Sequence, residues 1–416
     1  MQKGISIILF GISIFLLYIS LSHCLQTQSE TIIPDSSLSS GTNPEDIQYS
    51  ARELGCSSSA TTPSSLYAKA YCVMDADSGR ILCSKNAEKQ MPMASTTKIM
   101  TCILALEQGN LSDTVSVSSY AASMPDVQLN IREGESYLLE DLLYSLMLES
   151  HNDTAVAIAE HLGGSVEGFA ELMNQKAQDL GCTNTHFVTP NGLDHEEHYT
   201  TAAELCLIAS YAIQNEDFLK IIGTSSYSFK EQTGKRSFTV NNHDAFLGQY
   251  SGAIGIKTGF TGNAGYCFCG AARRDGRTLV SSVLACGWPP NKSYKWADTK
   301  KLMDFGFEGY ETVSIPINQS EIIQSVTDGQ QGTLSVKRNK EASPSLLLTS
   351  SDRITIHQEL PEKINAPVRA GDIVGYEKYA VNGTTFLEIP LTAEKNIKKI
   401  DYKYWIHQLS KLFLVS

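Results

Sequence analysis

The chain has 416 residues, 42% of them hydrophobic and 19% charged, and its 33 Lys and Arg against 45 Asp and Glu give a formal charge of −12. So much apolar material excludes wholesale disorder and points to more than one domain. The acidic balance argues against a nucleic-acid binder, which needs a positive surface for phosphates. No internal repeat of about 20 to 50 residues marks a solenoid or propeller.

In chain order, Lys3 precedes an apolar run from Ile5 to Leu21, followed by Ser22, His23 and Cys24. This pattern predicts a signal peptide over residues 1–24, with an uncleaved membrane anchor as the alternative. The rest of the chain is then expected outside the cytoplasm, at the outer face of the cytoplasmic membrane or the cell wall. Residues 25–65 are rich in Ser and Thr with little periodicity, and read as a linker. Residues 66–308 read as a mixed α/β (α+β) domain. Strands are expected at Ala68–Met74 and Arg80–Ser84, around a turn. A helix starts near Ala94, with Ile99, Cys102, Ile103 and Leu106 on one face and Gly109 at its end. Further helices follow at Tyr137–Leu148, Thr154–Leu162, Val166–Leu180 and Thr201–Gln214. Strands return at Tyr227–Phe229, Phe238–Val240, Gly265–Arg273 and Arg277–Cys286, before a closing helix at Lys295–Phe307.

Residues 309–394 alternate short β-rich runs with turn signals, and predict a small all-β domain. In residues 395–416 the texture changes again. Tyr402, Trp405, Ile406, Leu409, Leu412 and Phe413 share one helical face, Lys403 and Lys411 lie on the other, and Lys395, Lys398 and Lys399 stand just upstream. An amphipathic helix with flanking lysines is suited to an anionic membrane surface. The ten cysteines include no C-x-x-C pair, and most lie in apolar runs, so they read as buried free thiols. Cys72 and Cys83, on the two strands of the first hairpin, are the candidate bridge.

Three short motifs carry chemistry. Ser95 and Lys98 stand at i and i+3 at the start of a helix, on one face. A serine hydroxyl needs a nearby base to become a nucleophile. A lysine can be that base if burial lowers its pKa, and Met93, Ile99 and Met100 are apolar neighbours. Ser150, His151 and Asn152 fall in the break between two helices. Ser150 is placed to relay a proton and Asn152 to hold a substrate amide. Lys257, Thr258 and Gly259 precede a strand: the first two offer donors to a carboxylate, and Gly259 lets a substrate strand approach. Each motif alone is weak and reads equally as helix caps and a surface lysine. All three in this order, each at an element boundary, are a strong signal.

On these motifs, and on the flanking runs Pro92–Thr101, Phe187–Asp194 and Gly255–Tyr266, the chain resembles the low-molecular-weight penicillin-binding proteins. These are the serine D-alanyl-D-alanine carboxypeptidases of peptidase family S11. The resemblance implies a β-lactamase/transpeptidase-like catalytic domain, then a small all-β domain and a C-terminal amphipathic helix on the membrane surface. It implies peptidoglycan stem peptides as substrates, β-lactam antibiotics as covalent ligands, and no cofactor or metal. Ser95 would attack the carbonyl between two terminal D-alanines while Lys98 takes its proton. Lys257 and Thr258 would bind the terminal carboxylate, and the N–H groups of Ser95 and Phe260 would form the oxyanion hole. Where some relatives carry a carboxylate-binding arginine, this chain has Gly287, Trp288, Pro289 and Pro290. The alternatives are a D,D-endopeptidase and a class A-like β-lactamase. The latter needs a water-activating glutamate, and the closest string, Glu171 to Asn174, lies within a helical pattern. His195 and His198, with Glu196 and Glu197 between them, read as a solvated loop rather than a metal site.

Overall fold

The computed structural model describes residues 46–317, 321–338 and 343–414; the side chains described end at residue 411. The predicted signal peptide and the first part of the predicted linker lie outside these residues. The chain forms two compact units, Ala60–Tyr310 and the described residues of Met1–Ser59 with Glu311–Ser416.

The first unit is built on a five-stranded antiparallel sheet. Its order is Ile81–Lys85, Ala70–Asp75, Arg277–Leu284, Gly265–Arg274, Ala253–Thr261. Every residue of Ala70–Asp75 is buried, as a strand covered on both faces must be. Alternation sorts its neighbours. Val73 and Leu279 lie against Gly306 of the helix Tyr294–Gly309, where an added Cβ would sit 2.5 Å from Leu279. Cys72 and Val280 offer their carbonyls to the Sγ of Cys206, on the helix Ala202–Ala212.

The helical body fills the chain between Lys98 and Gly223. Its helix Lys98–Gln108 is buried on every side along its first eight residues, from Lys98 to Ala105. The predicted one-sided face therefore understates a helix that runs through the core. The predicted helix from Tyr137 starts at Leu139, because Ser136–Leu138 pairs as a strand with Thr114–Ser116.

All nine described cysteines, from Cys56 to Cys286, are free and buried. The free, buried state is the one expected, and the candidate bridge is not formed. Cys72 stands opposite Ser84 and Cys83 opposite Val73, so the two thiols point to opposite faces of the sheet.

The second unit holds a seven-stranded sheet, ordered Ile47–Ser50, Arg353–Glu359, Ile373–Val381, Thr384–Ala393, Thr333–Arg338, Ile322–Thr327, Lys363–Asn365. Its first strand corrects the reading of residues 25–65 as linker throughout. Ile47 pairs with Ile356 and Tyr49 with Ile354, and Ala51 and Cys56 enter this unit's core. A four-residue strand is too short to display a period, and its partner lies some 300 residues away. The expected boundary at residue 395 also moves. Ile397 is buried and bridges Val368, and the terminal helix is Tyr402–Leu414.

Candidate active site

The site begins with a tight turn. Ala94 adopts φ +48°, a left-handed conformation for a residue with a Cβ, which costs about 1–3 kcal/mol. It opens a 3₁₀ turn, Ala94–Thr97, that runs directly into the helix Lys98–Gln108. Two hydroxyls fix this turn: Thr96 Oγ1 donates to the Met93 carbonyl at 2.7 Å and Thr97 Oγ1 to the Ala94 carbonyl at 2.8 Å.

Lys98 is fully buried, and Nζ donates to Ser95 Oγ at 3.0 Å, to Asn152 Oδ1 at 2.9 Å and to the Asn191 carbonyl at 2.7 Å. Three acceptors match the three protons of an ammonium. A neutral amine would keep two donors for Asn152 and Asn191 and turn its lone pair toward the Ser95 hydroxyl. Burial, first, and the nearby charge of Lys257 push the Lys98 pKa well below its ordinary value, with Asp153 opposing them.

Ser150 also has a left-handed backbone, at φ +71°, between the helices Leu139–Leu148 and Asn152–Gly163. Its Oγ is buried, and among the described residues it has no hydrogen-bond partner. It makes no hydrogen bond to Ser95 or Lys98. His151 turns away, with Nδ1 2.7 Å from Ser145 Oγ and Nε2 3.2 Å from Glu149. Asn152 differs from the expectation of a free carboxamide for the substrate amide. Its Oδ1 accepts from Lys98, and its Nδ2 donates to the carbonyls of Pro125 and Asp126, each at 3.1 Å. Both ends are engaged, so here Asn152 holds the lysine and the adjoining loop.

Lys257, Thr258, Gly259 and Phe260 lie on Ala253–Thr261, the edge strand of the sheet. An edge strand leaves a row of backbone donors and acceptors for an incoming extended peptide. Lys257 is buried, donates to the Thr258 carbonyl at 3.1 Å, and is pushed down to about 7 by burial, against the opposing charge of Asp244. A Cβ on Gly259 would sit 2.9 Å from the Ser95 nitrogen and 3.1 Å from the Met93 carbonyl oxygen. Only a residue without a side chain lets this strand run so close to the nucleophile's backbone. Phe260 is 43% exposed, its ring 4.7 Å from that of Tyr266.

Two contributors escaped the sequence reading, and a third, His198, was expected in a solvated loop but is buried and bonded through both ring nitrogens. The Asn191 carbonyl holds Lys98 because the turn at Gly192, φ +85°, is pressed against Ala94; a Cβ there would meet the Ala94 oxygen at 2.1 Å. The Pro190-Asn191-Gly192 run was the available signal. His198 Nε2 lies 2.8 Å from Thr97 Oγ1, while its Nδ1 accepts from the Val188 and Thr189 N–H groups. That fixes a neutral tautomer, and burial pushes its pKa down to about 3. Asp153 accepts backbone N–H groups from Leu129, Ile131 and Thr154 beneath Lys98. Glu171 is exposed on the helix Val166–Asp179, and Asn174 is bonded to both backbone groups of Phe187. That string supplies no water-activating glutamate.

Fold and site together define a serine hydrolase that works by acyl transfer. Residues 57–287 match the family described as D-alanyl-D-alanine carboxypeptidase, Peptidase_S11, and residues 310–399 match the penicillin-binding protein 5 C-terminal domain. The chain belongs to this carboxypeptidase family. It is 32% identical over 343 residues to the D-alanyl-D-alanine carboxypeptidase DacF of Bacillus subtilis, covering 80% of this chain and 87% of that one. The structure of penicillin-binding protein 5 from Haemophilus influenzae superposes with TM-score 0.67 at 28% identity, over 82% of this chain and all of that one. The Streptomyces K15 DD-transpeptidase structure gives TM-score 0.56 at 34% identity, over 59% of this chain and 99% of that one.

Proposed function

We propose that this carboxypeptidase removes the terminal D-alanine of peptidoglycan pentapeptide stems through an acyl-enzyme on Ser95. The observation that carries the proposal is the 3.0 Å contact between Ser95 Oγ and a buried, pKa-lowered Lys98. Lys98 takes the hydroxyl proton as Ser95 attacks the carbonyl between the two terminal D-alanines. The N–H groups of Ser95 and Phe260 receive the oxyanion where the edge strand meets the nucleophile turn. Ser150, whose Oγ is unengaged, passes the proton to the leaving amine. Free D-alanine departs, and water then hydrolyses the ester. Lys257 and Thr258 receive the terminal carboxylate, and Gly259 admits the substrate backbone. A β-lactam meets the same nucleophile, but its leaving nitrogen stays tethered, so the adduct persists.

Export and a membrane surface complete the reading. The N-terminal apolar run supports a secretory signal. On the terminal helix, Tyr402, Trp405, Ile406 and Leu409 are all more than half exposed at one-face spacing, and among the described residues no helix is long and apolar enough to cross a membrane. This favours a helix lying in the interface, with Lys403 and Lys411 toward headgroups. The test is mass spectrometry of a pentapeptide incubated with the enzyme. Loss of one alanine, absent with Ser95→Ala, supports the proposal; an intact peptide overturns it.

A further inference from the structure

The break that carries Ser150 is clamped by the residue after it. Ser150 stands at φ +71° between the helices Leu139–Leu148 and Asn152–Gly163. A left-handed backbone is strained for a residue with a Cβ, and it persists only where the surroundings over-determine it. Both flanks of Ser150 supply that hold. Before it, the Glu149 N–H donates to the Ser145 carbonyl at the end of the first helix. After it, the His151 ring returns to the same helix, with Nδ1 2.7 Å from Ser145 Oγ. Ser145 therefore holds Glu149 through its carbonyl and His151 through its hydroxyl.

The imidazole is met at both nitrogens. Nε2 lies 3.2 Å from Glu149 Oε2, a contact that joins the two residues flanking Ser150, and Glu149 Oε1 accepts the Asn241 N–H at 2.7 Å. His151 and Ser145 are both buried. Burial pushes the His151 pKa down, with Asp153 and Glu149 opposing it. A neutral ring beside a carboxylate carries its proton on Nε2, which leaves Nδ1 to accept from the Ser145 hydroxyl. Beyond His151 the chain is held again: its carbonyl accepts from Thr154 Oγ1 at 3.1 Å, and the Asn152 N–H donates to the Val127 carbonyl at 2.7 Å. From Glu149 to Thr154 every side chain is engaged except that of Ser150, whose Oγ has no hydrogen-bond partner among the described residues.

We propose that His151 is a positioning residue for Ser150: bonded to Ser145 and set against Glu149, its ring holds the left-handed turn that presents the Ser150 hydroxyl to the leaving nitrogen. The inference rests on the reading that Ser150 passes the proton to that nitrogen. In that step the proton that Lys98 takes from Ser95 returns through Ser150 as the C–N bond breaks, and the amine leaves neutral. A thiolate leaves without such a proton. The placement of Ser150 is therefore felt by a peptide and not by the same molecule with sulfur in place of the scissile nitrogen. Attack by Ser95 with Lys98 as base is common to both.

The test is kcat/KM, which reports acylation, for a peptide ending in D-Ala-D-Ala and for its thioester counterpart. The variants are His151→Ala, His151→Asn, whose Oδ1 can still accept from Ser145, and Ser145→Ala, which removes the same bond from the other side should the first fold poorly. The expected result for His151→Ala and Ser145→Ala is a loss of about tenfold to a hundredfold on the peptide, with the thioester within about threefold of the parent. His151→Asn should recover most of the peptide rate, and the double alanine variant should be no slower than the slower single one. The ratio of peptide to thioester does not depend on the active fraction, so a merely structural role would leave it in place. Ser150→Ala, run alongside, separates the two readings. If it lowers both substrates alike, or neither, the relay role of Ser150 fails. If it lowers the peptide alone while His151→Ala and Ser145→Ala keep the parental ratio, the role of His151 is overturned.

Discussion

Gly259→Ala tests how closely the edge strand depends on the nucleophile turn. The added methyl would lie 2.9 Å from the Ser95 nitrogen and 3.1 Å from both the Met93 oxygen and the Ala94 Cβ. Two of these atoms are backbone, so no side chain can swing aside. The strand must move outward by several tenths of an ångström, or the strained turn must. Such overpacking costs typically about 1–3 kcal/mol of stability. The catalytic cost is larger in proportion, because the displaced groups are the Ser95 and Phe260 N–H groups proposed as oxyanion donors and the Ser95 hydroxyl. Losing one well-aimed oxyanion donor costs about 10²–10³-fold, and a 1 Å misplacement about 10²-fold. We expect acylation by a fluorescent penicillin, measured in a single turnover, to slow by about a hundredfold while the protein still melts cooperatively. Gly262→Ala is the control: three residues along the same chain, its Cβ would meet nothing within 4 Å. If Gly259→Ala acylates within about threefold of the parent, the close approach of strand and nucleophile is not what organises the oxyanion site.

Other outcomes follow from the same geometry. Lys98→Met keeps the length of the side chain but removes the base, and Lys98→Arg keeps a charge that cannot be lost. Both should lower acylation by at least about 10²-fold, and near-normal labelling of either would remove lysine from the mechanism. His198 is neutral when folded and its pKa lies near 3, against 6.5 as the ordinary value. The unfolded chain therefore takes up a proton that the folded one refuses, and stability present above pH 6.5 is lost as pH falls toward 3, by at most roughly 5 kcal/mol. His198→Gln should be less stable at pH 7 yet show a flatter decline in urea melts at pH 7, 5.5 and 4; an unchanged slope refutes the assignment. Truncation after Ile400 leaves Ile397 and its bridge to Val368 intact. The shortened enzyme should remain active but no longer pellet with anionic liposomes, and equal pelleting would dismiss the helix as an anchor.

The active site was legible where spacing and geometry coincide. Ser95 and Lys98 are three residues apart on a helix, so their contact follows from the helical period alone. Lys257 to Gly259 were legible as a motif ahead of a strand, but the strand Ala253–Thr261 that carries them was not. The Asn191 carbonyl was not, because a backbone acceptor has no side-chain signature; only the turn around Gly192 betrayed it. Asn152 was assigned to substrate because a carboxamide offers both a donor and an acceptor. Packing then committed both to Lys98 and the loop at Pro125. Asp153 carries no motif in the sequence, and only the fold shows it capturing three backbone N–H groups. For the fold, long periodic helices were found to within a few residues. The strand Ile47–Ser50 was missed because its pairing with Arg353–Glu359 is non-local. Cys72 and Cys83 were a candidate bridge on proximity along a hairpin, whereas strand register decides which face each one takes.

In the proposed reaction Ser95 carries the acyl group while a stem peptide loses its last residue. One measurement addresses it directly: intact-protein and peptide-map mass spectrometry of the enzyme quenched during turnover of a pentapeptide, with the released products analysed in the same sample. A tetrapeptidyl ester on Ser95 and free D-alanine are expected, and neither with Ser95→Ala. An adduct on another residue, or release of alanine that persists without the Ser95 hydroxyl, would contradict it.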